Sequence, residues 1–281
     1  MHLFEIAGVL IEIETDTFNI LNRLKAFKAY SKEAPNLKIS ISACGNMDEP
    51  DSKIVLDEGF KWFQGRTKKV TDIYKCKKDS DEVIAMLRVD SRWSSASIFY
   101  IGDDQDGEFT ATESFCEILF RNAILFHQGI VMHASAIAWE GKGIAFSAQS
   151  GTGKSTQAAL WKRLKGAKIL NDDRPAIRVV DGHASLYGTP WSGSSTEHIN
   201  CNIPLSMIVV LEQAIENTVH RLTSEEALPY LIPRCFLPYH DDELMEKALN
   251  NFEKIIEKVP IYLLKCTPDR DAVEMVIKCL K

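Results

Sequence analysis

Ser147-Ala-Gln-Ser-Gly-Thr-Gly-Lys-Ser-Thr156 decides how this chain is read. An apolar segment, Gly143 to Ala148, runs into it, and an amphipathic one, about Ser155 to Leu164, leaves it. Strand, glycine-rich loop and helix in that order are the context in which a G-x-x-x-x-G-K-S/T pattern binds phosphate. Here Ala148 stands at the first glycine position. Gly151 and Gly153 lack a Cβ, so the backbone can turn its N–H groups inward and let a phosphate approach. The following helix points its positive N-terminal end at the same place. Lys154 has the reach for the terminal phosphates and the Ser155 hydroxyl can ligate Mg²⁺, with Ser150, Thr152 and Thr156 completing the cradle. The expected ligand is a nucleotide.

Outward from the loop the texture is α/β. Before it, Ile130 to Trp139 and Gly143 to Ala148 are apolar segments joined by a hairpin signal at Glu140-Gly-Lys-Gly143. After it come a strand, Ala167 to Leu170, a hairpin around Asp181-Gly182, and a buried strand, Ser206 to Leu211. A capping box at Thr223 and Glu226 opens one helix, Asp241 to Glu257 forms another, and Ile261 to Lys265 reads as a last strand. Thr267-Pro268 then offers a cap and a first-turn proline for a terminal helix, Asp269 to Leu280. The first hundred residues differ. Ala7 to Glu14, Leu37 to Ser42 and Ser97 to Ile101 read as strands, separated by polar turns such as Asn46–Pro50 and Lys77–Asp81. Gly102 to Gly107 closes the last of them, and Phe115, Leu119, Ala123 and Phe126 then mark a helix over Glu113 to Phe126. The spacing predicts a strand-rich recognition or scaffold region over 1–110 and a catalytic domain over 111–281.

Two further groups carry chemistry. Asp172-Asp173 fall at a strand end one helix beyond the loop. In a parallel sheet, neighbouring strand ends face one crevice, so the pair can reach a Mg²⁺-nucleotide. One carboxylate would hold the metal and the other accept the proton of an attacking hydroxyl. The bland alternative is an exposed Asn-Asp-Asp turn. His133 lies among apolar neighbours on the strand before the loop, as a site residue or a structural one. Tyr187 to Gly193 is the candidate substrate side, with Thr189, Trp191 and Ser192 offering hydroxyls and a stacking face, unless Trp191 belongs to the core. Arg174 and Arg234 are cations for phosphate charge or solvated surface residues.

Composition narrows the class. The chain has 281 residues, 45% hydrophobic and 26% charged, enough apolar content for a core and too much for disorder. With 33 basic against 39 acidic side chains and a net charge of -6, non-specific nucleic-acid binding is not expected. No run nears the roughly 20 apolar residues that cross a bilayer, and the N-terminus lacks a secretion signal. Seven scattered cysteines with no C-x-x-C read as buried free thiols in a reducing cytoplasm.

Taken together, His133-Ala-Ser-Ala-Ile137, the loop, Leu160-Trp161, Asn171-Asp-Asp-Arg-Pro175 and Tyr187-Gly-Thr-Pro-Trp-Ser-Gly193 resemble the catalytic domain of HPr kinase/phosphorylase. They resemble more closely the HPr-kinase-like proteins grouped with modified-peptide biosynthesis, lasso-peptide precursor kinases among them. The family is distantly related to ATP-dependent phosphoenolpyruvate carboxykinase. The resemblance implies a P-loop kinase core and an ATP-dependent transfer of the γ-phosphoryl group to a serine-type hydroxyl on a peptide, protein or small molecule. It implies ATP and Mg²⁺ at Lys154 and Ser155, Asp172 as base, Asp173 as metal-linked acid, His133 packed against the pair, and a homo-oligomer. The order of the two aspartates stays open. The Leu-Glu-Ile-Arg-Gly-Leu-Gly signature of HPr kinases is missing, so the resemblance supports neither HPr recognition nor the phosphorylase reaction. A carboxykinase-like lyase and a non-catalytic ATP sensor are the competing readings.

Overall fold

The computed structural model describes residues 1–47, 54–57, 59–64, 70–77, 80, 82–193 and 197–280. Of the turns expected in the first region, residues 48–50, 78–79 and 81 lie outside these. The architecture is mixed α/β, in two compact units: Met1–Phe126 with Tyr239–Asp241, and His127–Pro238 with Asp242–Lys281.

The first unit is built on one eight-stranded sheet, of which the sequence showed three strands. The strand expected over Ala7 to Glu14 forms as β2 (Val9–Glu14), and the sequence did not show its hairpin partner β1 (His2–Ile6), joined to it by Ala7 and Gly8 at positive φ. A short helix, α1 (Phe18–Arg23), leads to β3 (Leu37–Cys44). Then follow β4 (Ile54–Asp57), β5 (Lys61–Gln64), β6 (Val70–Cys76), β7 (Val83–Asp90) and β8 (Ser95–Ile101). Their order across the sheet is β1-β2-β3-β8-β7-β6-β5-β4. The helix expected from Glu113 starts earlier. Asp104 accepts the N–H of Gly107 and caps α2 (Gln105–Phe109), which runs through a π-turn into α3 (Cys116–Ala123). Ala111, Phe115, Leu119 and Phe120 are buried, and the run packs on β7 and β8. The boundary expected at 110/111 would cut through this helix, and the compact units instead divide after Phe126.

The second unit opens with β9 (Gly129–Val131), β10 (Ala134–Trp139) and β11 (Lys142–Ser147). Helix α4 (Lys154–Lys165) is followed by β12 (Lys168–Asn171), β13 (Ala176–Val180), β14 (His183–Tyr187) and β15 (Asn202–Gln213). The chain ends through β16 (Thr218–Leu222), α5 (Ser224–Leu231), α6 (Asp242–Lys258), β17 (Ile261–Cys266) and α7 (Arg270–Cys279). The sheet runs β12-β10-β11-β15-β14-β13-β9, with β17 parallel to β15 and β16 antiparallel to β17. The parallel neighbours expected at the loop are modified: β10 lies antiparallel between β11 and β12. Those two strands still run the same way, so Ser147 and Asn171 end at one edge. The Thr223–Glu226 capping box forms as expected, whereas α7 is capped by Asp269, which accepts from Ala272, and not by Thr267. The seven cysteines are free, as expected; Cys116, Cys235 and Cys266 are buried, whereas Cys44, Cys76 and Cys279 are half-buried and Cys201 is exposed. Among the described residues, no helix is long and apolar enough to cross a membrane.

The core of this unit fixes α4 against the sheet. Trp161 on α4 is fully buried, edge-on to Trp139 of β10 at 5.4 Å and tilted on Phe146 of β11 at 6.1 Å. Ala158, Leu160 and α7's Val273 and Val276 close the same layer. Phosphate-loop position therefore depends on aromatic packing one helical stretch away. Trp161→Ala should cost about 3–5 kcal/mol of stability in urea unfolding; a loss under about 1 kcal/mol would show that this ring is not the anchor.

Candidate functional site

The loop has the conformation its glycines were expected to allow. Gly151 (φ 80) and Gly153 (φ 118) are both in the left-handed region, where an L side chain is strained. Gly153 is the N-cap of α4 and no side chain caps the helix, which leaves its positive end facing the loop. Ser150, Ser155 and Thr156 are exposed and Thr152 half-buried along this turn. Lys154 is buried, its Nζ donating to the Ala148 carbonyl at 3.3 Å. Burial pushes the ammonium below its usual range, with the Arg234 charge adding to that and Asp173 and Asp172 opposing it.

The aspartates arrive at the same edge and have unlike surroundings. Asp172 is buried at 6% exposure, so the exposed-turn alternative does not hold. Its Oδ1 accepts the Ser135 hydroxyl at 2.8 Å. Asp173 faces a histidine and an arginine instead: His133 Nε2 stands 3.2 Å from Oδ1 and Arg174 Nε 3.2 Å from Oδ2. The His133 hydrogen bond first, then the charges of Arg174, His133 and Lys154, hold its carboxyl below the usual carboxylate range against the opposing effect of burial. The histidine reaches this place because the strand expected over Ile130 to Trp139 breaks at Met132-His133. β9 goes to β13, β10 goes to β12, and the freed N–H groups of Met132, His133 and Ala134 bond Pro175, Arg234 and Asp173 carbonyls.

Two polar residues that the sequence reading did not single out organise the site. Ser135 tethers Asp172. Asn171, fully buried, accepts the N–H groups of Asp173 (2.9 Å) and Arg174 (2.6 Å) on Oδ1 and donates to the carbonyls of Thr189 and Trp191. The signal was present in Asn171-Asp-Asp: an asparagine that bonds the backbone two residues on makes such a turn. The Tyr187–Gly193 segment lies against the pair, but not as expected. The Thr189 hydroxyl is fully buried and donates to the Arg174 carbonyl at 2.7 Å, and Trp191 is in the core, so neither presents a hydroxyl or a stacking face. Ser192 remains half-buried. Gly188 is required by contact: a Cβ there would stand 2.0 Å from the Ile199 carbonyl oxygen.

Beside the loop lies a cavity of about 570 Å³, lined by Ala148 to Thr152, the β15 end Val210 to Gln213, and Pro229, Tyr230 and Arg234. Among the described residues, no three His, Cys, Asp or Glu side chains are placed to hold a metal ion. A Mg²⁺ here would need phosphate oxygens and water beside Ser155 and one carboxylate, the usual arrangement for this ion.

No family model matches the chain, and no curated protein does. Among solved structures it is similar to the Hpr(Ser) kinase/phosphatase from Coxiella burnetii, at 12% identity and a TM-score of 0.31, over 53% of this chain and 87% of that one. A likeness of that size establishes neither fold nor activity.

The depressed Asp173 carboxyl has a pH consequence. A carboxylate whose folded pKa lies below its unfolded value adds stability that is complete above the ordinary value and lost as pH falls through the depressed one. Asp173→Asn should therefore flatten the acid limb of a stability–pH curve measured by denaturant unfolding. An acid limb as steep as the wild type's would remove this account of the His133–Asp173–Arg174 group.

Proposed function

We propose that this chain is an ATP-dependent kinase that moves the γ-phosphoryl group to a hydroxyl on a peptide, protein or small molecule. The observation that carries the reading is the convergence at one sheet edge of a buried loop lysine and two aspartates with unlike hydrogen-bond partners. A sensor needs the loop and the lysine; it has no use for a second carboxylate with a different partner.

The residues fit the nucleotide. Left-handed Gly151 and Gly153 and the uncapped start of α4 make a cradle of N–H groups for the phosphates, and Lys154 supplies the charge. Ser155 and Asp173 are the groups to hold Mg²⁺, which when bound neutralises the β- and γ-oxygens. Asp173 suits that task because it stays ionised, and each of its oxygens keeps a second lone pair beside the His133 and Arg174 contacts. Asp172 suits the base. Its one described side-chain partner is the neutral Ser135 hydroxyl on Oδ1, which leaves Oδ2 for the acceptor. The acceptor oxygen forms its bond to γ-phosphorus as the bond to the bridging oxygen breaks. The hydroxyl proton passes to Asp172, and ADP leaves with the electron pair.

Incubation with γ-labelled ATP and candidate acceptors, read by intact mass, tests this. The acceptor should gain one phosphate. Lys154→Ala should reduce transfer on the order of 100-fold or more, and Asp172→Asn about 100- to 10,000-fold with nucleotide affinity little changed. Full transfer by Asp172→Asn would return the base role to Asp173. Tight ATP binding without transfer to any acceptor would leave a sensor, and carbon dioxide released from oxaloacetate with ATP would point to carboxykinase chemistry.

A further inference from the structure

We propose that Arg234 makes a catalytic contact with the phosphoryl group as it is transferred, binding it more strongly in flight than in the ground state. The inference rests on the kinase reading and assigns a residue that reading does not need.

The backbone around Arg234 is pinned to the acid cluster. Its carbonyl accepts the N–H of His133 at 2.7 Å, Cys235 bridges Met132, and the Phe236 N–H bonds the Val131 carbonyl at 3.1 Å. A short 3₁₀ turn, Ile232–Arg234, and the single bridge after it thus tie 234–236 to 131–133, which includes the histidine that holds Asp173. From that fixed root the half-buried side chain lines the cavity shared with Gln149, Ser150 and Gly151 of the loop.

Its charge is uncompensated there. Arg174, the other arginine near the acids, is paired with Asp173. Glu212, an acid in the same cavity lining, is paired with Lys265 at 3.2 Å. Among the described residues, Arg234 has no carboxylate within ion-pair distance. Its guanidinium is also close enough to Lys154 to act against that ammonium's charge. Two cations this near one another, beside an uncapped helix N-terminus, repel until an anion comes between them. On the kinase reading, Lys154 and the loop amides are the groups that hold the phosphate chain. The Arg234 cation approaches from the cavity side, and a planar guanidinium can bridge two equatorial oxygens of a phosphoryl group as it leaves ADP. A lysine at this root would bring one point charge without that fork.

Calorimetric titration with Mg·ADP, and with Mg·ADP plus aluminium fluoride as a mimic of the flattened phosphoryl group, tests the assignment without an acceptor. The wild type should bind the fluoride complex far more tightly than Mg·ADP. Arg234→Ala should keep Mg·ADP affinity within about threefold yet weaken the fluoride complex about 100-fold or more. Arg234→Lys should recover part of that loss, which a misfolded site would not allow. Three results would overturn the proposal: no tightening by fluoride on the wild type, an unaltered fluoride complex in Arg234→Ala, or equal weakening of both ligands, which would make Arg234 a ground-state nucleotide contact. A wild type that binds no Mg·ADP would remove the nucleotide reading itself, and this inference with it.

Discussion

An ammonium group withdrawn from water loses solvation that only carbonyls and anions nearby can replace. Lys154 is in that position at the first residue of α4, with the Ala148 carbonyl as its hydrogen-bond acceptor and the aspartates supplying charge. The surrounding architecture follows from keeping that group where it is. The left-handed turns at Gly151 and Gly153 bring the chain back over β11, the uncapped helix adds further positive potential, and Trp161 locks the helix to the sheet. A charged side chain held this way is poorly satisfied by the protein alone and well matched to a polyphosphate.

The acid cluster solves a related problem by different means. Two adjacent carboxylates repel, and here they are separated by partner chemistry instead of distance. Asp173 takes His133 and Arg174 and stays ionised; Asp172 takes a neutral hydroxyl in a buried setting. The break between β9 and β10 falls at this histidine, whose backbone N–H bonds the Arg234 carbonyl while its ring meets Asp173. Asn171 completes the arrangement, binding the acid turn to Thr189 and Trp191 through one side chain. The wall near the acids is consequently structural, and open volume lies on the β15 side of the loop, where Arg234 is.

Some of this was legible in the residues. Gly151 and Gly153 announced a turn that only glycine makes easily, and the hairpins at Glu140-Gly141 and Asp181-Gly182 form with both residues at positive φ. The Thr223–Glu226 box formed where it was read. These are local features, settled by a few neighbouring dihedrals. The errors were non-local or competitive. Ala7-Gly8 looked like the start of a strand because nothing nearby showed β1 waiting to pair. Asp104 outcompeted the apolar pattern in choosing where the long helix begins. Thr189 and Trp191 carry chemistry that suits a substrate, and only packing showed both turned inward.

The sequence by itself determined the strand–loop–helix unit, the lysine in it and the presence of two adjacent acids, since each needs only residue type and close spacing. The tertiary structure alone decided which acid meets His133 and Arg174, which meets Ser135, and that Arg234 lines the cavity beside the loop with no carboxylate partner among the described residues. Those pairings join strands that are remote along the chain. Their geometry is fixed by sheet order and by one interrupted strand, neither of which leaves a pattern in the local run of residues.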